Sequence, residues 1–191
     1  MELQKLNVKI FVEQPDSIPL TDFIEVFHNW IQATDGVYHD VADYSHMQAG
    51  PGIVLVAKDA HVSIDESGGR RGLVYNQKAV LVGMPRDMLR HVFRAALKNC
   101  RQLEAEPALA GKLRFAANEA VISLNDRLLG TNSSESFDEF KQAIEAFAKQ
   151  LYGGAEVDFE RDADPRQRLN VHLKTSASID LAQALDNLSR N

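Results

Sequence analysis

The sequence has a single cysteine, Cys100, so no disulfide can form within the chain. It also lacks a long apolar run: the longest is the five-residue stretch 53–57, far short of the roughly 20 residues that a transmembrane helix needs. The first nine residues do not contain the apolar segment of a signal peptide. Together these absences predict a cytoplasmic protein without a membrane partner.

Positive charge is scarce as well. The chain carries 21 Lys and Arg against 27 Asp and Glu, which gives a formal net charge of −6. A protein that coats nucleic acid needs a strong positive field, so we expect no nucleic-acid partner. The remaining composition, 45% hydrophobic and 25% charged over 191 residues, is typical of a globular chain that can bury its own core.

The first half of the chain shows clear hydrophobic periodicity. Strict alternation predicts a first strand, and apolar residues at three- and four-residue steps predict two long helices. Three short runs between the helices are bounded by turn residues and predict an antiparallel meander, with a further short strand around Val41. The predicted strands are 8–13, 53–57, 60–65 and 71–76, a turn follows the first at 14–17, and the helices are 20–32 and 86–104.

The second half predicts two hairpins, each followed by a helix. The first hairpin would join 113–117 to 120–125 by a turn at Asn118 and Glu119, and the second would turn at 162–165. Ser136 with Glu139 is a capping-box pattern for one helix, and Ser178 is the expected cap of a terminal helix.

This order of elements indicates an α+β fold with a mainly antiparallel sheet and about four helices packed mostly on one face. No Pro-, Gly- or Ser-rich linker divides the chain, so we expect a single domain over residues 1–191. A boundary near 106–111 is the alternative.

Two histidines and two aspartates fall within the eight residues 39–46. If this segment is extended, His39 and Asp43 share one face, and His46 reaches them from the following loop. Imidazole and carboxylate groups are ligands for divalent metals, so one hypothesis is a metal site at His39, Asp43 and His46. The alternative is a solvated loop whose aspartates form turns.

The second predicted helix carries a row of basic residues, which we call the basic row. Like charges at this spacing repel, so an anionic ligand, an acidic partner surface or neighbouring acids should offset them. The alternative is a solvated helix face. The basic row consists of Arg86, Arg90, Arg94, Lys98 and Arg101.

The turn 67–69 is followed by Arg70 and Arg71. Its backbone N–H groups and the two guanidiniums could together hold an anion, although a plain hairpin turn with exposed arginines has the same pattern.

Two other features favour structural roles. Cys100 lies on the apolar face of its helix, and His172 lies opposite the acids of the preceding strand, as a cross-strand charge pair would. The polar stretch 125–127 is typical both of a cleft edge and of a strand-to-helix turn.

The segments 40–44, 50–52, 69–75 and 125–128 resemble a family of uncharacterised bacterial proteins, and the resemblance covers most of the chain. It implies a bacterial origin and one unit rather than a fusion. It implies no activity and no catalytic residue.

Three hypotheses about function remain open. The leading one is a non-catalytic domain that binds a small anionic ligand or a protein partner, as a monomer or a homodimer, through the basic row and Arg70 or Arg71. The second is a metal-assisted enzyme that uses His39, Asp43 and His46, with an arginine as anion clamp. The third is a structural or assembly protein. The sequence specifies no cofactor.

Overall fold

The computed structural model describes residues 5–13, 17–48, 50–109, 111–125, 131–164 and 166–190. Within these ranges the chain forms an eight-stranded sheet and four α-helices. The strands are β1 (Leu6–Val12), β2 (Tyr38–Asp43), β3 (Ile53–Ala57), β4 (Ala60–Asp65), β5 (Gly72–Gln77), β6 (Phe115–Leu124), β7 (Asp158–Arg161) and β8 (Asn170–Lys174). The helices are α1 (Asp22–Ala33), α2 (Pro85–Glu104), α3 (Ser134–Leu151) and α4 (Leu181–Asn187).

The strands lie in the order β2-β3-β4-β5-β1-β6-β8-β7, and all of the pairs are antiparallel. β3, β4 and β5 form the predicted meander, and β2 is the predicted short strand around Val41. The helices pack over one side: α1 contacts β2, α2 contacts β1 and β5, α4 contacts β6 and α3 contacts β8. The α+β fold, the antiparallel sheet and the helices on one side are thus confirmed. β5, which precedes the segment 106–111 in the chain, and β6, which follows it, both pair with β1.

The longest helix, α2, illustrates why the sequence folds locally as it does. Its buried residues, among them Leu89, Phe93 and Leu97, recur at four-residue steps and face the sheet. Pro85 occupies the first turn, where its missing N–H is harmless. Cys100 is fully buried on this stripe, and burial raises the pKa of its thiol well above the usual value, as expected of a packing residue.

The prediction of a hairpin around Asn118 and Glu119 is wrong. Residues Phe115–Leu124 form one continuous strand, β6, with both residues in its middle. β6 pairs with β1 on one side and β8 on the other, so partners distant in sequence hold the whole segment extended. Asn118 bonds to Thr175 rather than turning the chain, since its side-chain amide donates to the Thr175 carbonyl at 3.3 Å.

The predicted helix caps are wrong by two or three residues. α3 is capped by Ser133, whose hydroxyl accepts from the Ser136 N–H at 3.1 Å, so Ser136 is a first-turn residue and not the cap. α4 is capped by Asp180 and not by Ser178. Asp180 accepts from the Gln183 N–H at 2.7 Å while the Gln183 side chain accepts from the Asp180 N–H at 3.0 Å. This reciprocal pair satisfies two backbone donors, which explains why Asp180 and not Ser178 caps the helix. Of the predicted loops, residues 14–16, 126–127 and 165 lie outside the described residues.

Candidate functional site

Alternate residues of the central strand β1 point away from the helices and are nevertheless buried. Val8 and Ile10 belong to the apolar core on the helix side. Asn7, Lys9 and Phe11 point to the other side, and only 8%, 9% and 6% of each is exposed. We call this side the open face, because no helix in the described ranges packs on it. Buried polar side chains without a covering layer indicate a recess in the sheet.

A cleft of about 620 Å³ occupies the centre of the open face. Its floor consists of side chains from β1, β5, β6 and β8, and its rim consists of the β4–β5 and β7–β8 connections. The lining residues are Asn7, Lys9, Phe11, Asp65, Ser67, Gly68, Arg70, Val74, Val121, Ser123, Asp162, Gln167, Arg168, Asn170 and His172. A volume of this size is typical of sites for small molecules.

Lys9 lies in the cleft floor as part of a closed polar cluster. Its ammonium is 2.5 Å from the Asp65 carboxylate and donates to the Ser67 carbonyl at 3.0 Å. The Ser67 hydroxyl donates to the other Asp65 oxygen at 2.7 Å. Only 11% of the Lys9 side chain and 12% of the Asp65 side chain is exposed. The fold therefore keeps a charged pair in the cleft by surrounding it with hydrogen-bond partners.

Two cleft residues have a buried side-chain oxygen without a hydrogen bond among the described residues: Asp65, whose Oδ1 is in the ion pair with Lys9, and Asn7, whose Oδ1 is in no ion pair. An unpaired buried acceptor costs roughly 1–3 kcal/mol, so such atoms are rare and call for an explanation. Asn7 lies opposite Ser123 on one side and Asn76 on the other, and His61 follows beyond Asn76.

His61 carries a second unpartnered buried atom, Nδ1, on this same cross-strand row. Burial, and secondarily the positive charge of Lys78, lowers the pKa of the His61 imidazole, which favours its neutral form. A row of neutral polar side chains thus crosses five strands of the open face. It consists of His61, Asn76, Asn7, Ser123 and Asn170.

His172 forms a hydrogen-bonded pair with Asp162 at the side of the cleft. Its Nε2 lies 2.7 Å from Asp162 Oδ1, while Asp162 Oδ2 accepts from the Asn170 amide at 2.5 Å. The Asp162 carbonyl in turn accepts from Asn132 at 2.9 Å, which fixes the turn. His172 lies opposite Glu160 of the preceding strand, as the sequence predicted, and its hydrogen bond is to Asp162 in the turn that follows that strand. A carboxylate that orients an imidazole is the arrangement that general-base catalysis uses.

Arg70 lies at the rim, where it covers Phe11. The guanidinium carbon is 3.9 Å from the centre of the Phe11 ring. Two guanidinium nitrogens donate to the two carboxylate oxygens of Glu119. Hydrogen bonding to Arg70 lowers the pKa of Glu119, and the same bonds raise the pKa of Arg70. Of the two predicted arginines of this turn, Arg70 is the one that lines the cleft.

Arg71 points elsewhere. Its guanidinium donates to Glu66 at 2.6 Å and also to the Ile18 carbonyl, so it ties the β4–β5 turn to the segment before α1. A third arginine, Arg168, lines the cleft from the β7–β8 side and donates to Asn125 Oδ1 at 2.7 Å. Sequence reasoning did not single out Arg168, because nothing in the order of residues shows that β8 comes next to β6.

The basic row lies on α2, on the opposite side of the sheet from the cleft. Arg86 donates to Gln150 of α3 at 2.8 Å, and Arg90 is 3.9 Å from Asp87. Within the described residues, Arg94, Lys98 and Arg101 form no ion pair. The structure therefore places Arg70 and the basic row on opposite sides of the sheet. The role of the basic row itself stays a prediction.

His39, Asp43 and His46 are all exposed. β2 shifts register between Tyr38 and Asp40, which interrupts simple alternation at His39. Asp43 accepts from the Ser45 N–H at 2.8 Å, and hydrogen bonds from Ser45 lower the pKa of Asp43. Among the residues that the structure describes, no group of three or more His, Cys, Asp or Glu is placed to hold a metal ion. The metal hypothesis stays a prediction for which metal titration is the test.

Comparison with known proteins adds no relative: no family model, no curated protein and no solved structure matches this chain. None of the described helices is both long enough and apolar enough to cross a membrane.

Proposed function

We propose that this protein is a non-catalytic domain that binds a small anionic ligand in the cleft of the open face. The unpaired Oδ1 of Asn7 carries the proposal, since a ligand that donates to it would supply the missing partner. The atom lies in the cleft floor on a strand that pairs on both sides, which fixes the backbone from which this side chain projects.

The charge of the lining supports an anion. Three basic side chains, Lys9, Arg70 and Arg168, line the cleft together with two acidic ones, Asp65 and Asp162. Lys9 and Arg70 are paired with Asp65 and Glu119, so Arg168 is the lining cation that forms no ion pair among the described residues. Its guanidinium can bind a carboxylate or a phosphate through two parallel hydrogen bonds.

The test is the melting temperature of chelator-treated protein in the presence of phosphates, nucleotides, carboxylates and divalent metals. A ligand that binds only the folded state stabilises it by about 2.7 kcal/mol at a hundredfold excess over its Kd. We expect a rise with anions that is reduced in Arg168→Ala and retained in Arg101→Ala, a matched exposed arginine of the basic row.

The other outcomes assign the alternatives. A rise that is lost in Arg94→Glu and kept in Arg168→Ala would move the anion site to the basic row. A metal-specific rise that vanishes in His46→Ala would favour the metal-assisted enzyme. A flat panel would contradict the proposal, and analytical ultracentrifugation would then test a protein partner or a homodimer.

One observation favours a second candidate function, an enzyme that uses the same cleft. His172, oriented by Asp162 at 2.7 Å, could take a proton from a ligand hydroxyl. NMR spectra of a bound ligand incubated with the protein would show product if this holds. Loss of turnover with retained binding in His172→Gln would assign the base, whereas unchanged ligand after prolonged incubation would leave a binding domain.

A further inference from the structure

Three neutral polar side chains form a continuous row across the cleft floor. Asn7 of β1 lies opposite Ser123 of β6, and Ser123 lies opposite Asn170 of β8. All three line the cleft. Neighbouring strands lie about 4.8 Å apart, so the row is about 10 Å long, which is the length of a small organic molecule rather than of a single inorganic ion.

The hydrogen-bonding capacity of this row is largely unused. Asn7 Oδ1 is buried without a partner. Within the described residues the Ser123 hydroxyl also has no hydrogen bond, and Asn170 uses only its amide nitrogen, in a bond to Asp162. A ligand that crosses the row can therefore pair with three adjacent strands.

The groups that fit this row are hydroxyls. An amide oxygen needs a donor, a serine hydroxyl needs a donor or an acceptor, and a ligand hydroxyl supplies both. A charged row would select an ion, but neutral amides and a hydroxyl give a charged group little compensation for its lost hydration. Successive hydroxyls on a carbon chain or ring present donors and acceptors side by side.

The anionic end of the ligand has a separate place. Arg168 precedes Asn170 by two residues and lines the cleft from the β7–β8 side, where it forms no ion pair within the described residues. Lys9 lies on the other side of the row, because it follows Asn7 by two residues on a strand parallel to β8, and its ammonium is held by Asp65 and Ser67. An anionic group bound at Arg168 would leave the rest of the ligand over the row of neutral side chains.

The described lining offers little aromatic surface on which a nucleobase could stack. The Arg70 guanidinium covers the Phe11 ring at 3.9 Å from its centre, and the imidazole of His172 is hydrogen-bonded to Asp162 at the side of the cleft. A polyol needs no ring to stack on.

We infer that the ligand of the cleft is a polyhydroxylated anion, a sugar phosphate or a sugar acid, whose hydroxyls bind Asn7, Ser123 and Asn170. This inference rests on the proposed function and names the class of ligand for that same site.

Isothermal titration calorimetry with four probes tests the inference: a hexose phosphate, a hexuronic acid, the neutral hexose and inorganic phosphate. We expect at least one of the two sugar anions to bind about tenfold or more tightly than inorganic phosphate and the neutral hexose. The tighter of the two identifies phosphate or carboxylate as the anionic group. Asn7→Ala and Ser123→Ala should each weaken that binding by about three- to tenfold, the range for one lost hydrogen bond.

Asn76→Ala is the matched control, because Asn76 lies opposite Asn7 on the same row but outside the cleft lining. The Asn76→Ala variant should bind the sugar anion with the same Kd as the wild type. Melting curves establish that all three variants are folded. Inorganic phosphate that binds as tightly as the sugar anions, or sugar-anion binding unaffected by Asn7→Ala and Ser123→Ala, would overturn the inference and leave the proposed anion site intact. A neutral hexose that binds as tightly as the sugar anions would also overturn it. The absence of binding by all four probes, together with a flat melting panel, would overturn both.

Discussion

The two sides of β1 bury their residues for different reasons. On the helix side, Val8 and Ile10 are covered by helices and belong to one apolar cluster. On the open face, Asn7 and Lys9 are also buried but have no covering helix in the described ranges. The first side is buried by packing, and the second by the walls of a cleft. Burial alone therefore does not identify a core, and the polarity of what is buried separates a scaffold from a site.

The largest expected effect concerns the apolar core on the helix side of the sheet. Phe93→Ala should lower the free energy of unfolding by about 3–5 kcal/mol, because it leaves a cavity in the core. Phe93 is fully buried, and its ring centre lies 5.0 Å from that of Phe147. Urea denaturation measures the change. Val74→Ala on the open face should cost no more than about 1 kcal/mol, and equal losses in the two variants would contradict the distinction.

The second prediction concerns the charged pair of the open face. Asp65→Ala should lower the free energy of unfolding by about 2–3 kcal/mol, because it leaves the Lys9 ammonium largely buried with only Ser67 as a partner. The double substitution Lys9→Met with Asp65→Ala should recover most of the loss in the same urea experiment. A double variant no more stable than Asp65→Ala would show that packing, and not the unpaired charge, governs this position.

The third prediction is a substitution that stabilises the fold instead of destabilising it. Asn7→Leu should raise the free energy of unfolding by about 1 kcal/mol, because a nearly isosteric apolar side chain removes the unpaired buried acceptor. Chemical denaturation measures the gain, and ligand binding should be lost at the same time. Asn76→Leu, on the neighbouring strand, should change stability by less than about 0.5 kcal/mol. A destabilised Asn7→Leu would mean that Asn7 has a structural role.

The smallest expected effect depends on pH. The pKa of Glu119 is lower in the folded state than in the unfolded chain, so its carboxylate stabilises the fold fully above the unfolded value of about 4.3. This contribution is lost as the pH falls through the folded-state pKa. When the pH is lowered below about 4, the free energy of unfolding should therefore fall less in Glu119→Gln than in the wild type. The difference should be less than about 1 kcal/mol, because Arg70 is exposed and solvent screens its ion pair with Glu119. Urea denaturation against pH measures it, with the exposed Glu156→Gln as control; identical acid profiles of wild type and Glu119→Gln would contradict the assignment.

Much of the fold was predictable because its signals are local. The alternation in β1, the helical stripe of α2 and the meander β3–β5 depend on residues close in sequence, and the structure confirms them. β6 was misinterpreted because Asn118 and Glu119 resemble a turn. Their extended conformation is imposed by pairing with β1 and β8, which are far away along the chain.

The cleft was much less predictable than the fold. Alternation in the predicted strand 8–13 shows that Lys9 lies opposite the core, but it does not include Asn7 and does not show that the strand is central or that its face is recessed. Arg70 was selected because arginine suits anions, whereas Arg168 and His172 gave no comparable signal. Their place beside Asn7 depends on β8 pairing with β6 across more than forty residues.

The sequence by itself determined which residues form strands and helices and which side of each element is apolar, because periodicity acts over a few residues. Tertiary structure alone decided that β1 lies between β5 and β6, and that Asn7, Ser123 and Asn170 form one row. The physical reason is that backbone hydrogen bonds between strands are the same whatever the side chains are. Strand order and register follow from the packing of the whole molecule, and the site exists only where that order brings distant polar residues to one face.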